Sequence, residues 1–137
     1  MRIQYIVLLL LASTPFHSRA YDLQRSMDNL AEDVSACVAF YTIVTVDARR
    51  NAVQDAKWGE VAAKFEATLQ SALDLLRLVM TGRSENFVQS KIDLRMQGSL
   101  KTLQSEGIDR LMFLHADSCK SLMENPDTRL EYWKQRQ

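Results

Sequence analysis

Residues 31–44, AEDVSACVAFYTIV, place a cysteine within a long stretch of helical apolar spacing. Apolar side chains step by three and four residues through this segment and its flanks, the spacing of one helix face; they are Leu23, Met27, Leu30, Val34, Cys37, Tyr41 and Val44. The β-branched residues 42–46, TIVTV, favour a strand in isolation, but the helical spacing continues on both sides of them. The pattern therefore predicts one long helix that begins near Asp22, whose side chain can cap it.

Three further segments repeat this spacing and are separated by glycine residues. A second helix is predicted over about 55–81 and ends before Gly82, and a third begins at Ser84 or Asn86 and ends before Gly107. A fourth carries one apolar stripe formed by Ile108, Leu111, His115, Cys119 and Leu122. Helices joined by short connections pack as antiparallel neighbours. The sequence therefore predicts an all-α fold, an antiparallel four-helix bundle.

The C-terminal residues 124–133, ENPDTRLEYW, restart a helix after a break. Asn125 suits the N-cap and Pro126 the first helical position, so a short C-terminal helix is predicted. Two roles are open for Tyr132 and Trp133 in this helix. They fold back as a lid on the open end of the bundle, or they present an aromatic anchor to another protein.

The first 20 residues, MRIQYIVLLLLASTPFHSRA, have the organisation of a secretory signal peptide. Arg2 provides a positive start, an apolar run follows, and small residues at Ser18 and Ala20 predict cleavage after Ala20. The apolar run is about half as long as a membrane-spanning helix needs to be, which argues against the alternative of an uncleaved anchor. We expect a periplasmic or secreted protein without stable membrane insertion after cleavage.

Net charge and length limit the expected partners and the number of domains of the mature chain, residues 21–137. The signal peptide carries two of the 17 basic residues and none of the 17 acidic ones, so the mature net charge is −2. No basic patch stands out in the sequence, and nucleic acid is therefore not an expected partner. The remaining length suits a single helical domain with a hydrophobic core of its own.

The only two cysteines of the chain, Cys37 and Cys119, are predicted to form a disulfide that staples the bundle. Exported proteins favour paired cysteines. In an up-down-up-down bundle the first and fourth helices are adjacent and antiparallel, and both cysteines fall near the middle of those helices on the apolar stripe. Two buried free thiols, acting as small apolar side chains, are the alternative.

His115 and Cys119 are four residues apart and share one helix face, which raises a metal site as a further alternative. With Cys37 opposite, they would supply two sulfurs and one imidazole to zinc or copper. Oxidation of the cysteines competes with this site and no other ligand joins it, so we expect no metal or other cofactor. No Gly-rich oxyanion site and no Glu-x-x-His pair appears, and the sequence predicts no enzymatic activity.

The antiparallel register also tests a resemblance to a haem protein. The opening YDLQRSMDNL, residues 21–30, is similar to the start of cytochrome b562, a periplasmic four-helix family. The resemblance implies haem coordination by Met27 and by a histidine on the fourth helix, for which His115 is the only candidate in the mature chain. In this register His115 lies at about the same height along the bundle as Tyr41, and Met27 at about the same height as Arg129. At 1.5 Å per residue this separates Met27 from His115 by about 21 Å, too far for one iron.

Two stretches supply candidate interaction surfaces. Residues 73–80, LDLLRLVM, are apolar almost all round the helix, so they form either its most buried end or a patch for a partner. Trp58, near the first turn, is a candidate anchor together with Tyr132 and Trp133. We expect a non-enzymatic accessory protein of the cell envelope, of the inhibitor or immunity type, whose partner is another envelope or secreted protein. The alternative is a periplasmic carrier of a metal, a haem-type ligand or a small apolar ligand.

Overall fold

The computed structural model describes residues 16–136, and these fold into five helices without a strand. The helices are α1 (Phe16–Ala52), α2 (Lys57–Val79), α3 (Glu85–Glu106), α4 (Ile108–Glu124) and α5 (Pro126–Lys134). The all-α prediction is confirmed. The predicted signal peptide, residues 1–20, lies for the most part outside the described residues, and the predicted cleavage after Ala20 stays a prediction.

Helix α1 occupies the centre of the bundle, because each of the other four helices packs against it. Its middle is deeply buried, and the side chains of Val34, Ala39 and Phe40 are almost completely removed from solvent. The β-branched residues 42–46 are helical, as the apolar spacing predicts. Packing of these residues in the core therefore outweighs their local preference for a strand.

The direction of α2 and α3 relative to α1 follows from ion pairs and shared cavities. Arg49 near the end of α1 meets Glu66 of α2 at 2.5 Å, while Met27 near the start of α1 lies beside Val79, so α1 and α2 are antiparallel. Asp28 of α1 pairs with Arg83, just before α3. One turn further along α1, Glu32 pairs with Lys91 and Arg95, which lie further along α3. Helices α1 and α3 therefore run parallel.

Helix α4 returns beside the middle of α1 and is joined to it covalently. Cys37 and Cys119 form a disulfide with 5.4 Å between their Cα atoms, and His115 lies with its ring centroid 5.9 Å from that of Phe40. Moving back along α4 thus corresponds to moving forward along α1, as in an antiparallel pair. The two cysteines are only 3% and 1% exposed, and the described residues contain no free thiol, so the alternative of two unpaired cysteines is wrong.

The turns between the helices use the residues that the sequence indicated. Gly82 and Gly107 have φ angles of 86° and 85°, a left-handed conformation that side chains other than glycine rarely adopt. The Ser84 hydroxyl accepts a hydrogen bond from the backbone N–H of Phe87 and caps α3. Asn125 caps α5 in the same way, with Pro126 at the first helical position.

One helix among the described residues, Asp22–Ala52, is long and apolar enough to cross a membrane by length and composition alone. About two thirds (67%) of its most apolar window is buried inside the molecule. Burial of this extent is what a central core helix requires, and length and composition do not distinguish such a helix from a membrane span.

We expect the disulfide to account for a large part of the stability of the fold. Replacing both Cys37 and Cys119 by alanine should lower the free energy of unfolding by about 4 kcal/mol, because the bridge closes a loop of 82 residues and restricts the unfolded chain. Urea unfolding followed by far-UV circular dichroism measures the difference. A reductant should destabilise the native protein to the level of the variant and leave the variant unchanged. Equal unfolding free energies for both proteins would contradict the prediction.

Candidate functional site

His115 lies beside the disulfide and is about half-buried. Its ring packs at an angle against Phe40, a neighbour of the Tyr41 position expected from the register. Burial lowers the pKa of the imidazole below 6.5, and the positive charge of Arg95 lowers it further. The side chain is therefore neutral at neutral pH and behaves as a polar edge of the core.

The predicted metal set of His115, Cys119 and Cys37 does come together in space, but both sulfurs are consumed by the disulfide. Among residues 16–136 no group of three His, Cys, Asp or Glu side chains is placed to hold a metal ion. A metal at this position would require reduction of the buried disulfide. The same bond removes the sulfurs as nucleophiles.

The residues implied by the haem resemblance are not brought together. Met27 lines a cavity at the α2–α3 turn with Leu78 and Gly82, whereas His115 packs in the middle of the bundle. The register predicted Arg129 at the height of Met27, but Arg129 lies beside Asp33 of α1. Helix α4 ends at Glu124 and α5 begins at Pro126, so α5 does not continue the line of α4. The antiparallel register of α1 and α4 therefore cannot be extended to α5.

Helix α5 folds back onto α1 through one carboxylate. Oδ2 of Asp33 accepts a hydrogen bond of 2.6 Å from Nε of Arg129 and another of 2.7 Å from the indole Nε1 of Trp133. The hydrogen bond to Asp33 raises the pKa of Arg129. Trp133 packs against the core and Tyr132 meets its ring edge-on. Helix α5 thus folds back onto the bundle, as the lid alternative requires, and lies against α1 at Asp33 with Trp133 engaged in contacts inside the molecule. The role of Tyr132 and Trp133 as an anchor for another protein stays a prediction.

Asp33 is a site residue that the sequence analysis did not single out. A signal was present, because Asp33 stands four residues before Cys37 and so lies on the cysteine-bearing face of the helix. A carboxylate on such a face needs a partner. Its partners are 96 and 100 residues away, and local spacing does not identify them.

Residues 73–80 divide between core and surface. Leu76 and Met80 are buried against α1, whereas Leu78 is 69% exposed on the opposite side of the same helix. Leu23 and Phe87, from α1 and α3, are also exposed near this end of the bundle. We call Leu23, Leu78 and Phe87, with the connection 80–84 between them, the turn face.

An open groove of about 640 Å³ continues from the turn face between α2 and α3. It exists because both helices pack on α1 and make little contact with each other. Its apolar lining consists of Leu73, Leu76, Met80, Val88 and Ile92. Charged residues stand at the rim, where Arg77 pairs with Asp74 and Arg83 with Asp28.

Basic side chains also surround Phe87 on the turn face. The guanidinium of Arg83 and the ammonium of Lys91 lie 5.3 and 5.7 Å from the centre of its ring. Lys91 and Arg95 both bind Glu32 of α1; burial raises the pKa of this carboxyl, but the two cations outweigh it and the pKa is lowered. Phe87 is therefore held on a fixed part of α3.

Trp58, the remaining predicted anchor, lies at the start of α2 at the opposite end of the α1–α2 pair and is partly exposed. The strongly exposed Val53 is close to it in the chain, in the connection between the helices. The groove between α2 and α3 does not reach Trp58.

Removal of Asp33 should release α5 from the bundle. We expect Asp33→Ala to lower the free energy of unfolding by about 1–2 kcal/mol, because it deletes two charge-assisted hydrogen bonds that are partly exposed to solvent. In a Trp58→Phe background, the emission of Trp133 should shift to the red. Glu131→Ala is the matched control, since it removes only the exposed pair with Lys134 on the same helix. Unchanged Trp133 emission in Asp33→Ala would contradict this role.

The buried imidazole predicts a pH dependence of stability. The pKa of His115 is lower in the folded protein than in the unfolded chain, so unfolding takes up a proton as the pH falls below about 6.5 and stability decreases. The urea midpoint of the native protein should therefore fall more steeply between about pH 7.5 and 5.5 than that of His115→Gln. Parallel curves for the two proteins would show that His115 does not contribute.

Comparison of the chain with protein-family models, with curated proteins and with solved structures found no match. Its function is therefore inferred from the chemistry and geometry of the described residues.

Proposed function

We propose that this chain is an exported, non-enzymatic accessory protein of the inhibitor or immunity type, which binds another envelope or secreted protein through its turn face. The observation that carries this proposal is the exposed Leu78, which lines a cavity at the α2–α3 turn; the turn residues 80–83 of that cavity also border the open apolar groove between α2 and α3. The disulfide and the apolar N-terminal segment support the export part of the proposal, because both are typical of exported proteins.

The distribution of exposed apolar side chains favours an interaction role. Single exposed leucines are common on protein surfaces and have no special meaning. Here Leu78 lines a cavity at the α2–α3 turn, Phe87 lines a neighbouring cavity between α1 and α3, and the exposed Leu23 stands one helical turn before Met27, which also lines the first of these cavities. The turn residues Met80 and Arg83 border both of these cavities and the apolar groove between α2 and α3. Apolar clusters with a polar rim are typical of protein-binding sites.

The shape of the groove indicates the form of the partner. Helices α2 and α3 both pack on α1 and make little contact with each other, and a partner can place the apolar face of an amphipathic helix into the open groove between them. The exposed ion pairs of Arg77 with Asp74 and Arg83 with Asp28 would lie at the edge of such a complex. Exposed pairs contribute little to affinity, so the apolar contacts would supply most of it.

The turn face can be tested by introducing a charge. Leu78→Asp should weaken binding of a partner at least tenfold, because it places a carboxylate in the apolar contact. Leu94→Asp is the matched control, since Leu94 is a leucine of similar exposure (61% against 69%) on α3 but, unlike Leu78, is not part of the cavity at the α2–α3 turn. A photo-crosslinking residue at position 78, and separately at 94, in cells that produce the protein identifies the partner for the affinity measurement.

The crosslinks and the two aspartate variants decide the outcome together. The proposal predicts one crosslinked protein from position 78 and none from position 94, with loss of binding only in Leu78→Asp. Unfolding curves check that both variants remain folded. Equal crosslinking at the two positions, or full binding by Leu78→Asp, would contradict an interaction through the turn face.

A further inference from the structure

A cavity of about 380 Å³ lies beneath α5, distinct from the groove of the turn face. Three elements line it: α1 with Asp33 and Cys37, α4 with His115 and Cys119, and α5 with Arg129. Its volume falls within the range of sites that bind small molecules. It is partly open to solvent, so a small ligand can enter without unfolding the bundle.

One wall of the cavity carries the Asp33–Arg129 ion pair, which can form further hydrogen bonds. Oδ2 of Asp33 accepts the hydrogen bonds from Arg129 and Trp133, and Arg129 donates through Nε. Within residues 16–136 no further hydrogen bond involves Oδ1 of Asp33 or the two terminal amino groups of Arg129; the guanidinium carbon lies 4.6 and 5.3 Å from the ring centres of Tyr132 and Trp133. The cavity therefore presents one anionic acceptor and one cationic fork beside each other.

The lining below the charge pair is mixed. The buried Cys37–Cys119 disulfide, Leu122 and Ala36 form an apolar floor, and small polar side chains complete the lining; they are Ser118, Ser121, Asn125 and Thr128. The imidazole of His115 also lines the cavity. A ligand that fits must combine a charged end for the Asp33–Arg129 wall with a small apolar group for the floor.

We propose that this cavity binds a free α-amino acid with a branched apolar side chain. The carboxylate of the amino acid pairs with the terminal amino groups of Arg129, in the two-pronged arrangement that arginine favours. The ammonium group pairs with Oδ1 of Asp33, and the side chain covers the disulfide and Leu122.

Charge complementarity selects this class of ligand over simpler ions. A phosphate or a second carboxylate would satisfy Arg129 but would be repelled by Asp33, and a simple amine would satisfy Asp33 but face Arg129. Only a zwitterion matches both charges. Bound in this position it bridges α1 and α5, so occupancy stabilises the folded protein and the lid together.

The test uses three probes of nearly the same shape on the oxidised mature protein: L-leucine, 4-methylpentanoate, which lacks the ammonium, and 3-methylbutylamine, which lacks the carboxylate. NMR titration of backbone amides measures each affinity. We expect L-leucine to bind at least tenfold more tightly than either analogue and to shift the amides of α5 and of the Cys37 region. No binding of L-leucine at millimolar concentration, or equal binding of all three probes, would overturn the proposal.

Two variants separate recognition from folding. Arg129→Lys keeps the positive charge beside Asp33 but removes the fork, and Ala36→Leu fills the floor without altering any charge. Each should weaken L-leucine binding at least tenfold. Lys134→Ala, on the same helix but outside the cavity lining, should bind as the native protein does. Native-like binding by either cavity variant would overturn the proposal; because Leu78 is not involved, that result leaves the turn face untouched.

Discussion

The burial of the middle of α1 is the constraint on which the rest of the structure depends. Side chains such as Val34, Ala39 and Phe40 are almost fully removed from water, and this requires protein on nearly every side of one helix. Each of the other helices therefore packs against α1. Ala31, on α1, lies in a cavity bordered by the connection between α2 and α3 and by α3 itself. Because α2 and α3 spread over α1 instead of closing on each other, a groove stays open between them.

The two half-buried carboxylates of α1 set the positions of the outer helices. Glu32 binds Lys91 and Arg95 of α3, and the adjacent Asp33 binds α5. Apolar burial is not directional, whereas a carboxylate that has lost part of its hydration must meet donors in defined places. Neighbouring residues of one helix point about 100° apart, so the pair directs α3 and α5 to different sides of α1.

The sequence predicted the helices well, because apolar spacing and caps act within a few residues. Ser84, Asn125 and the two cysteines could be placed from local pattern and from antiparallel register alone. The position of α5 could not, since it depends on a hydrogen bond across 96 residues from Asp33. The exposure of Leu78 could not be predicted either: an apolar helix reveals which of its sides are covered only when the spacing of its neighbours is known.

Helices α4 and α5 are held to α1 by different means, and this affects how the candidate sites respond to binding. The disulfide fixes α4 to α1 covalently, so the floor of the cavity is rigid. Helix α5 has no fully buried residue and depends on the contacts of Arg129 and Trp133, so it should be the first element to open. A ligand beneath it would act on this weakly held lid. A partner in the groove would instead meet α2 and α3, whose positions are set by the core and by Glu32. The fold thus combines a weakly held helix, α5, above one candidate site with a groove between α2 and α3 whose shape is set before a partner binds.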